Sequence, residues 1–296
     1  MKGQPMQTEK PLRFGIKTSP QDTGFEAILD TWLEAEEYPA IEHAWINDHF
    51  ISMDEHHLDA PSLESWTVLT ALGARTSRLR LGIMVMSNTY RNPAVLAKMA
   101  ATLDVITHGR FDFGLGAGWY EREHIAYDLP FYTTAERIRR LDEACELIKR
   151  MWTEKAPNFQ GTYYQLKEAY CEPKPLQKPH PPIMIGGSGE KLTLRVVARH
   201  ADMWNYISGT PEDFRHKSSV LDRHCTAIGR DTATIERSVQ DIINLDNLKA
   251  ERELLARYID SGATHLILSL RPPFVTGTVK RLVTELVEPL QEQFLH

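Results

Sequence analysis

The sequence predicts a closed (β/α)8 barrel, a TIM barrel, with an insertion after its fourth helix. Short apolar or β-branched runs alternate with amphipathic stretches of helical period eight times along the 296 residues, with few hairpin signals between them. Strict alternation of strand and helix gives parallel strands, and eight units suit the length of such a barrel, about 250 residues. The rhythm breaks once and then resumes, so no linker divides the chain and residues 1–296 read as one domain. A doubly wound open sheet is the alternative, for which eight units would be many.

In order, residues 12–17 form the first strand and 24–36 a helix. The second strand is 43–47, and after a loop a helix covers 64–75. Residues 80–86 are a continuous apolar run, read as a buried strand, and Pro93 opens a helix that reaches about 107. His108 and Gly109 stop that helix and 110–115 follows as the fourth strand. A long helix spans 134–152, with Leu141, Cys145, Ile148 and Trp152 on one face. Residues 153–182 hold six prolines and no helical period, which makes them the insertion. The pattern returns with strand 183–185, helix 191–200, strand 203–206 and helix 211–228. Strand 235–243, helix 248–261, strand 265–270 and helix 275–294 complete the eight units.

Composition is that of an ordinary globular chain: 42% hydrophobic, 25% charged, 17 Gly and 17 Pro. Disordered, collagen-like and fibrous classes are excluded, and a chain of this size buries roughly three-quarters of its unfolded surface without a disulfide or metal. The formal charge of -6 argues against a broad nucleic-acid or anionic-membrane surface, though not against a local basic pocket. Cys145, Cys171 and Cys225 match no zinc or C-x-x-C spacing and suit a reducing compartment. Residues 1–11 are polar, without a secretory signal, and no apolar run approaches a membrane span, so a soluble, cytoplasmic protein is expected.

In this architecture the chemistry sits where strands end and helices begin. Strand two ends in Asn47-Asp48-His49-Phe50, the best acid–base pair of the chain. The imidazole moves protons near neutral pH, and the carboxylate either sets its tautomer or binds another polar group. Two glycine-rich loops open into helices: Gly116-Ala117-Gly118-Trp119 after strand four, and Gly186-Gly187-Ser188-Gly189 after strand five. Glycine allows close backbone approach, and helix N-termini attract anions, so the second loop, with Lys191, Arg195 and Arg199 behind it, suits a phosphate. Neither loop has Rossmann spacing, and no Walker A loop or G-x-S-x-G elbow is present. Asp54-Glu55-His56-His57 lacks metal-ligand spacing and reads as a solvated loop, so no metal is expected.

These residues together resemble the bacterial luciferase-like superfamily, and within it the branch that uses the deazaflavin coenzyme F420. The resemblance is carried by 45–50, by 81–93 with 103–119, and by Phe159-x-Gly161-x-Tyr163-Tyr164. The proline-spaced run from Pro173 to Ile183, Gly186-Gly187, and Ala201-Asp202-x-Trp204-Asn205 extend it. It implies a TIM barrel with insertions that binds a flavin or deazaflavin at the strand C-terminal ends. Asp48 and His49 would then touch the cofactor ring, a non-prolyl cis peptide at Met84–Val85 would support it, and Gly116, Ala117, Gly118 and Trp119 would pass the ring or ribityl chain. Gly186, Gly187, Ser188 and Gly189 would cradle the phosphate.

The implied activity is hydride transfer between a small organic substrate and F420, with His49 as proton donor or acceptor. An FMN-dependent monooxygenase using reduced flavin and oxygen is the alternative, and a non-enzymatic flavin-binding protein a second. Some sugar-phosphate-oxidising members carry an acidic residue where Trp119 stands, a departure that argues against a sugar-phosphate substrate; with Trp119, Tyr120, Phe131, Tyr132 and Trp204 available, a flatter or more apolar substrate is expected. Related barrels pair through helices, which makes a homodimer an expectation too.

Overall fold

The computed structural model describes residues 11–207 and 209–294. Eight parallel strands close on one another: β1 (Arg13–Thr18), β2 (His43–Ile46), β3 (Arg80–Ile83) continued by β4 (Met86–Ser87), β5 (Phe111–Gly116), β8 (Ile183–Gly186), β9 (Met203–Ile207), β10 (Glu236–Ile242) and β11 (His265–Leu270). Closure comes from β1 pairing with β11 and β3 with β5. The helices α1 (Phe25–Glu36), α2 (Ser65–Arg75), α3 (Pro93–Ile106), α5 (Thr134–Thr153), α6 (Thr193–His200), α7 (Pro211–Ala227) and α8 (Leu248–Asp260) form the outer ring. The ring ends in α9 (Thr278–Leu282) and α10 (Glu288–Phe294), joined by one π-helical turn at Val283–Val287. The sequence therefore predicts the barrel and its eight units correctly.

Alternation along each strand sorts the side chains. Phe14, Ile16, Phe111, Phe113, Leu115, Ile183 and Ile185 face the helices in the main apolar core. The opposite set fills the barrel in layers. At the floor, Asp112 accepts from Arg80 and lies 3.2 Å from His43 Nε2, while Arg13 bridges Glu42 and Glu236 at 3.0 Å each. Burial alone would push the Asp112 carboxyl up, but the His43 and Arg80 hydrogen bonds and charges hold it below the usual range. Above this lies an apolar layer of Trp45, Met84, Met184, Met203 and Ile267, for which Gly82 leaves room: a Cβ there would stand 2.4 Å from the Trp45 ring. The floor is thus sealed, and the open end is the C-terminal one.

The fold departs from the sequence reading in four places. The predicted strand 80–86 is broken at Met84–Val85, whose peptide is cis, the position the resemblance implies. A short helix, α4 (Glu121–Ala126), follows the strand-four loop and carries no apolar period to announce it. The last helix is interrupted by its π-helical turn. The proline-rich segment contains a hairpin of β6 (Phe159–Gln160) and β7 (Gln165–Leu166). Its turn wraps the Glu143 carboxylate of α5, which accepts from Thr162 and Tyr163 N–H at 2.9 Å and from Tyr164 N–H at 2.6 Å. Gln177 anchors its return to Asp104 Oδ1 at 2.7 Å, and the Tyr164 hydroxyl accepts from Asn88 Nδ2 at 3.1 Å. It packs along α3 and α5, and Tyr164 reaches the barrel mouth.

Candidate active site

At the end of β2 the chain turns Asp48 and His49 to opposite duties. Asp48 is buried, and Arg91 grips its two oxygens at 2.8 and 3.1 Å while Ser87 N–H donates at 3.1 Å. Arg91 also reaches Glu64, the N-cap of α2, at 2.7 Å. Asp48 thus binds another polar group, the second of its two expected roles, and ties the strand-two loop to the strand-three loop.

His49 finds its carboxylate elsewhere. Its Nδ1 lies 2.9 Å from Oε2 of Glu123, a fully buried residue of α4 that the sequence reading missed. Glu123 also accepts from the N–H groups of Phe50 at 2.5 Å and Ile51 at 3.1 Å, and from the Tyr90 hydroxyl. Burial alone would raise the Glu123 carboxyl, but the His49 hydrogen bond and charge, with those of Tyr90 and Ile51, hold it below the usual carboxylate range. The Tyr90 hydroxyl is pushed up by burial and by Glu123. An ionised Glu123 that only accepts fixes the proton on His49 Nδ1. Nε2 has no hydrogen-bond partner among the described residues and is the ring nitrogen left free. Trp119, 64% exposed, meets the His49 ring edge-on with centroids 5.8 Å apart, and Tyr120 does so at 5.9 Å.

The glycine loops behave differently from one another. Val85, just past the cis peptide, packs between Gly116 and Gly186: a Cβ on either would lie 2.7 or 2.9 Å from its Cγ2. These two glycines therefore serve the packing of a side chain. Gly118 has φ +80°, and a Cβ there would strike the Ser87 and Thr89 hydroxyls. Arg137 of α5 holds its carbonyl at 3.1 Å, which fixes the loop running through Ala117 to Trp119.

After β8, Gly187 takes φ +112°, its N–H donating to the Asn205 carbonyl and its carbonyl accepting from Trp204 Nε1 at 2.8 Å. The N–H groups of Ser188 and Gly189 make no hydrogen bond among the described residues. Glu190, the acid nearest this loop, is drawn off by Lys217 at 2.7 Å and His216 at 3.1 Å. Of the three basic residues expected here, Arg199 pairs with Asp142 of α5 at 2.7 Å and points away, so that part of the reading fails. Lys191 and Arg195 are exposed on the turn and first turn of α6.

A cavity of about 670 Å³ opens at the mouth between β1, β10 and β11, lined by Lys17, Asn47, Met53, Gln240 and Ser269 among others. Asn47 Oδ1, Asn88 Oδ1 and Asn205 Oδ1 are buried at this end without a partner among the described residues. Unclaimed amide oxygens, two free loop N–H groups and a half-apolar cavity fit a flat, polar, anionic cofactor with a donor-bearing ring. Among the described residues no His, Cys, Asp and Glu cluster could hold a metal ion, and no helix is long and apolar enough to cross a membrane.

The luciferase-like monooxygenase family matches residues 12–280. The chain belongs to that family. Among its luciferase-like relatives, an F420-dependent glucose-6-phosphate dehydrogenase of Kineococcus radiotolerans is 34% identical over 247 residues, 82% of this chain and 71% of the relative. The protein of the same description from Microbacterium testaceum is 36% identical over 223 residues, covering 74% of this chain but 64% of its own length. In three dimensions, the luciferase-like barrel superposes with TM-score 0.82 on an F420-dependent secondary alcohol dehydrogenase in complex with an F420-acetone adduct. That match covers 95% of this chain and 99% of the other at 17% identity, a likeness of fold.

Proposed function

We propose that the protein is an oxidoreductase that moves a hydride between a small organic substrate and coenzyme F420, with His49 giving or taking the accompanying proton at Nε2. The observation that carries this reading is the His49–Glu123 pair at 2.9 Å, at the mouth of a barrel whose relatives are described as F420-dependent dehydrogenases. When bound, F420 supplies the two-electron centre that gives or accepts the hydride. Neutral His49, with its proton on Nδ1, offers a lone pair to a substrate hydroxyl; protonated, it donates to a substrate oxygen. Glu123 stabilises the imidazolium that forms and holds the ring's orientation.

Asp48, with both oxygens on Arg91, acts as a positioning residue for the loop that carries His49. Ser188 and Gly189 would hold the phosphate through their N–H groups, with Lys191 and Arg195 supplying positive potential. Met84, Val85 and the Gly116–Trp119 loop would bound the ring.

Fluorescence titration of the purified chain with F420, and turnover of His49→Ala at saturating F420, test this. Cofactor binding with turnover reduced about 10²–10⁴-fold is expected; unchanged turnover removes His49 from catalysis. The family description favours a second reading, an FMN-dependent monooxygenase. Tight FMN binding with oxygen consumption, and none of F420, would establish it. A homodimer belongs to the proposal through the resemblance: light scattering at twice the 33.8 kDa protomer mass supports it, and the protomer mass would sink it.

A further inference from the structure

The mouth cavity contains a cation that the protein does not neutralise. Lys17 rises from β1 into it, and its ammonium donates to Gln240 Oε1 of β10 at 3.1 Å. Among the described residues no carboxylate forms an ion pair with it, and burial pushes it down to about 8. A neutral amide oxygen replaces one of the three hydrogen bonds an ammonium makes in water. Three acids share the cavity and none reaches it. Asp54 is engaged by His57 at 2.9 Å, Asp241 accepts from Ile242 N–H at 2.8 Å, and Asp22 stands exposed. Arg271 lies at the exposed rim.

A second group in the same wall is also unmet. Gln21 donates through Nε2 to the Ile51 carbonyl at 2.6 Å, which fixes its Oε1 as the acceptor facing Ser19 and Asn47. Asn47 must therefore turn its Nδ2 towards Gln21, which leaves its Oδ1 as an acceptor without a partner. The residue is 5% exposed and lines the cavity. The cavity thus presents one half-buried, unpaired cation and one buried acceptor, between apolar walls of Met53, Ile207, Ile242, Leu270 and Pro272.

We propose that the substrate taken by this cavity is a hydroxylated organic carboxylate, its anionic group bound by Lys17 and a hydroxyl other than the one that reacts at His49 donating to Asn47, with the hydrocarbon body against the apolar walls. This rests on the hydride-transfer reading only in naming the substrate of that site. One desolvated ammonium balances a singly charged carboxylate, whereas a phosphate dianion requires a second cation of equal burial.

Calorimetric titration of the full chain with mandelate and with mandelamide, which differ by the charge, tests the proposal, with glucose 6-phosphate as a third ligand. Mandelate is expected to bind about tenfold more tightly than mandelamide, the ratio of one charge-assisted hydrogen-bonded contact. In Lys17→Met the two should bind equally, and Lys17→Gln serves if that variant does not fold. Equal binding of the pair to the unsubstituted protein, no binding of mandelate, or a preference that survives both substitutions overturns the proposal. Glucose 6-phosphate binding more tightly than mandelate, and depending on Lys17, overturns the carboxylate class. Each titration is run with and without F420. Failure of F420 to bind ends the hydride-transfer reading, while the mandelate preference is still read on the cofactor-free chain.

Discussion

Glu123 holds His49 from across the mouth: the two residues are 74 positions apart in sequence, and their side chains meet at 2.9 Å in a pocket where the carboxylate is fully buried. Four donors converge on this one carboxylate, two of them backbone N–H groups of the loop that carries His49. The acid that orients the imidazole therefore also shapes the loop that presents it. Asp48, its neighbour in sequence, spends its charge on Arg91.

Replacing Glu123 by Gln keeps the volume but turns an NH2 group towards donors and removes the charge that stabilises an imidazolium. Turnover should fall about 10–100-fold, as for the loss of an orienting partner, with substrate KM and F420 affinity held. Steady-state kinetics beside a fluorescence titration of F420 reads the split. A parallel collapse of cofactor affinity would show that Glu123 acts on the loop and not on His49.

Asp48 and Arg91 form a buried pair, with the carboxylate side chain 1% exposed. Arg91→Ala strands that charge and also frees Glu64 at the start of α2. The expected loss is about 3–5 kcal/mol of unfolding free energy, read from urea denaturation midpoints. A loss below about 1 kcal/mol would mean that water enters and replaces the guanidinium.

Val85 and Gly186 are coupled by contact. In Gly186→Ala the new methyl would stand 2.9 Å from Val85 Cγ2 and 3.2 Å from Cγ1, an overpacking that costs about 1–3 kcal/mol. Val85→Ala removes the obstructing methyls, so the double variant should be more stable than the sum of the single losses predicts. Thermal denaturation of the four proteins closes the cycle, and strict additivity would show that the strand shifts instead.

How legible all this was depends on the range of the signal. The barrel was legible because alternation and helical period are local, and Leu141, Cys145, Ile148 and Trp152 do bury one face of α5. His49 was legible because it follows a strand. Glu123 was not: Glu121 and Glu123 sit in the same six-residue helix, and only the fold shows that one is solvated and the other buried under His49. Gly116 and Gly186 were singled out as ligand-facing, and their smallness answers to Val85, a residue beside the adjoining strand that no spacing encodes. Arg199 follows Arg195 at helical spacing, yet Asp142 of α5 draws it outwards, because a helix flank offers a carboxylate closer than the loop does.

Lys17 gives a pH dependence whose sign is fixed by its burial. Its ordinary value of 10.5 is lowered to about 8 in the fold, so between those values the unfolded chain binds more protons than the native one. Stability therefore rises with pH across this window. Below pH 8 the native lysine is charged and the full cost of burying the ammonium is present; above 10.5 both states are neutral and the cost vanishes. Lys17→Met carries no such charge, so it should be the more stable protein at pH 7, by ~1–3 kcal/mol. That advantage should shrink steadily between pH 8 and pH 10. Subtracting the two proteins' unfolding free energies at each pH cancels every other titrating group. A difference that stays constant from pH 7 to 10 would mean that the ammonium is hydrated through the cavity, and an advantage that grows with pH would reverse the sign of the argument.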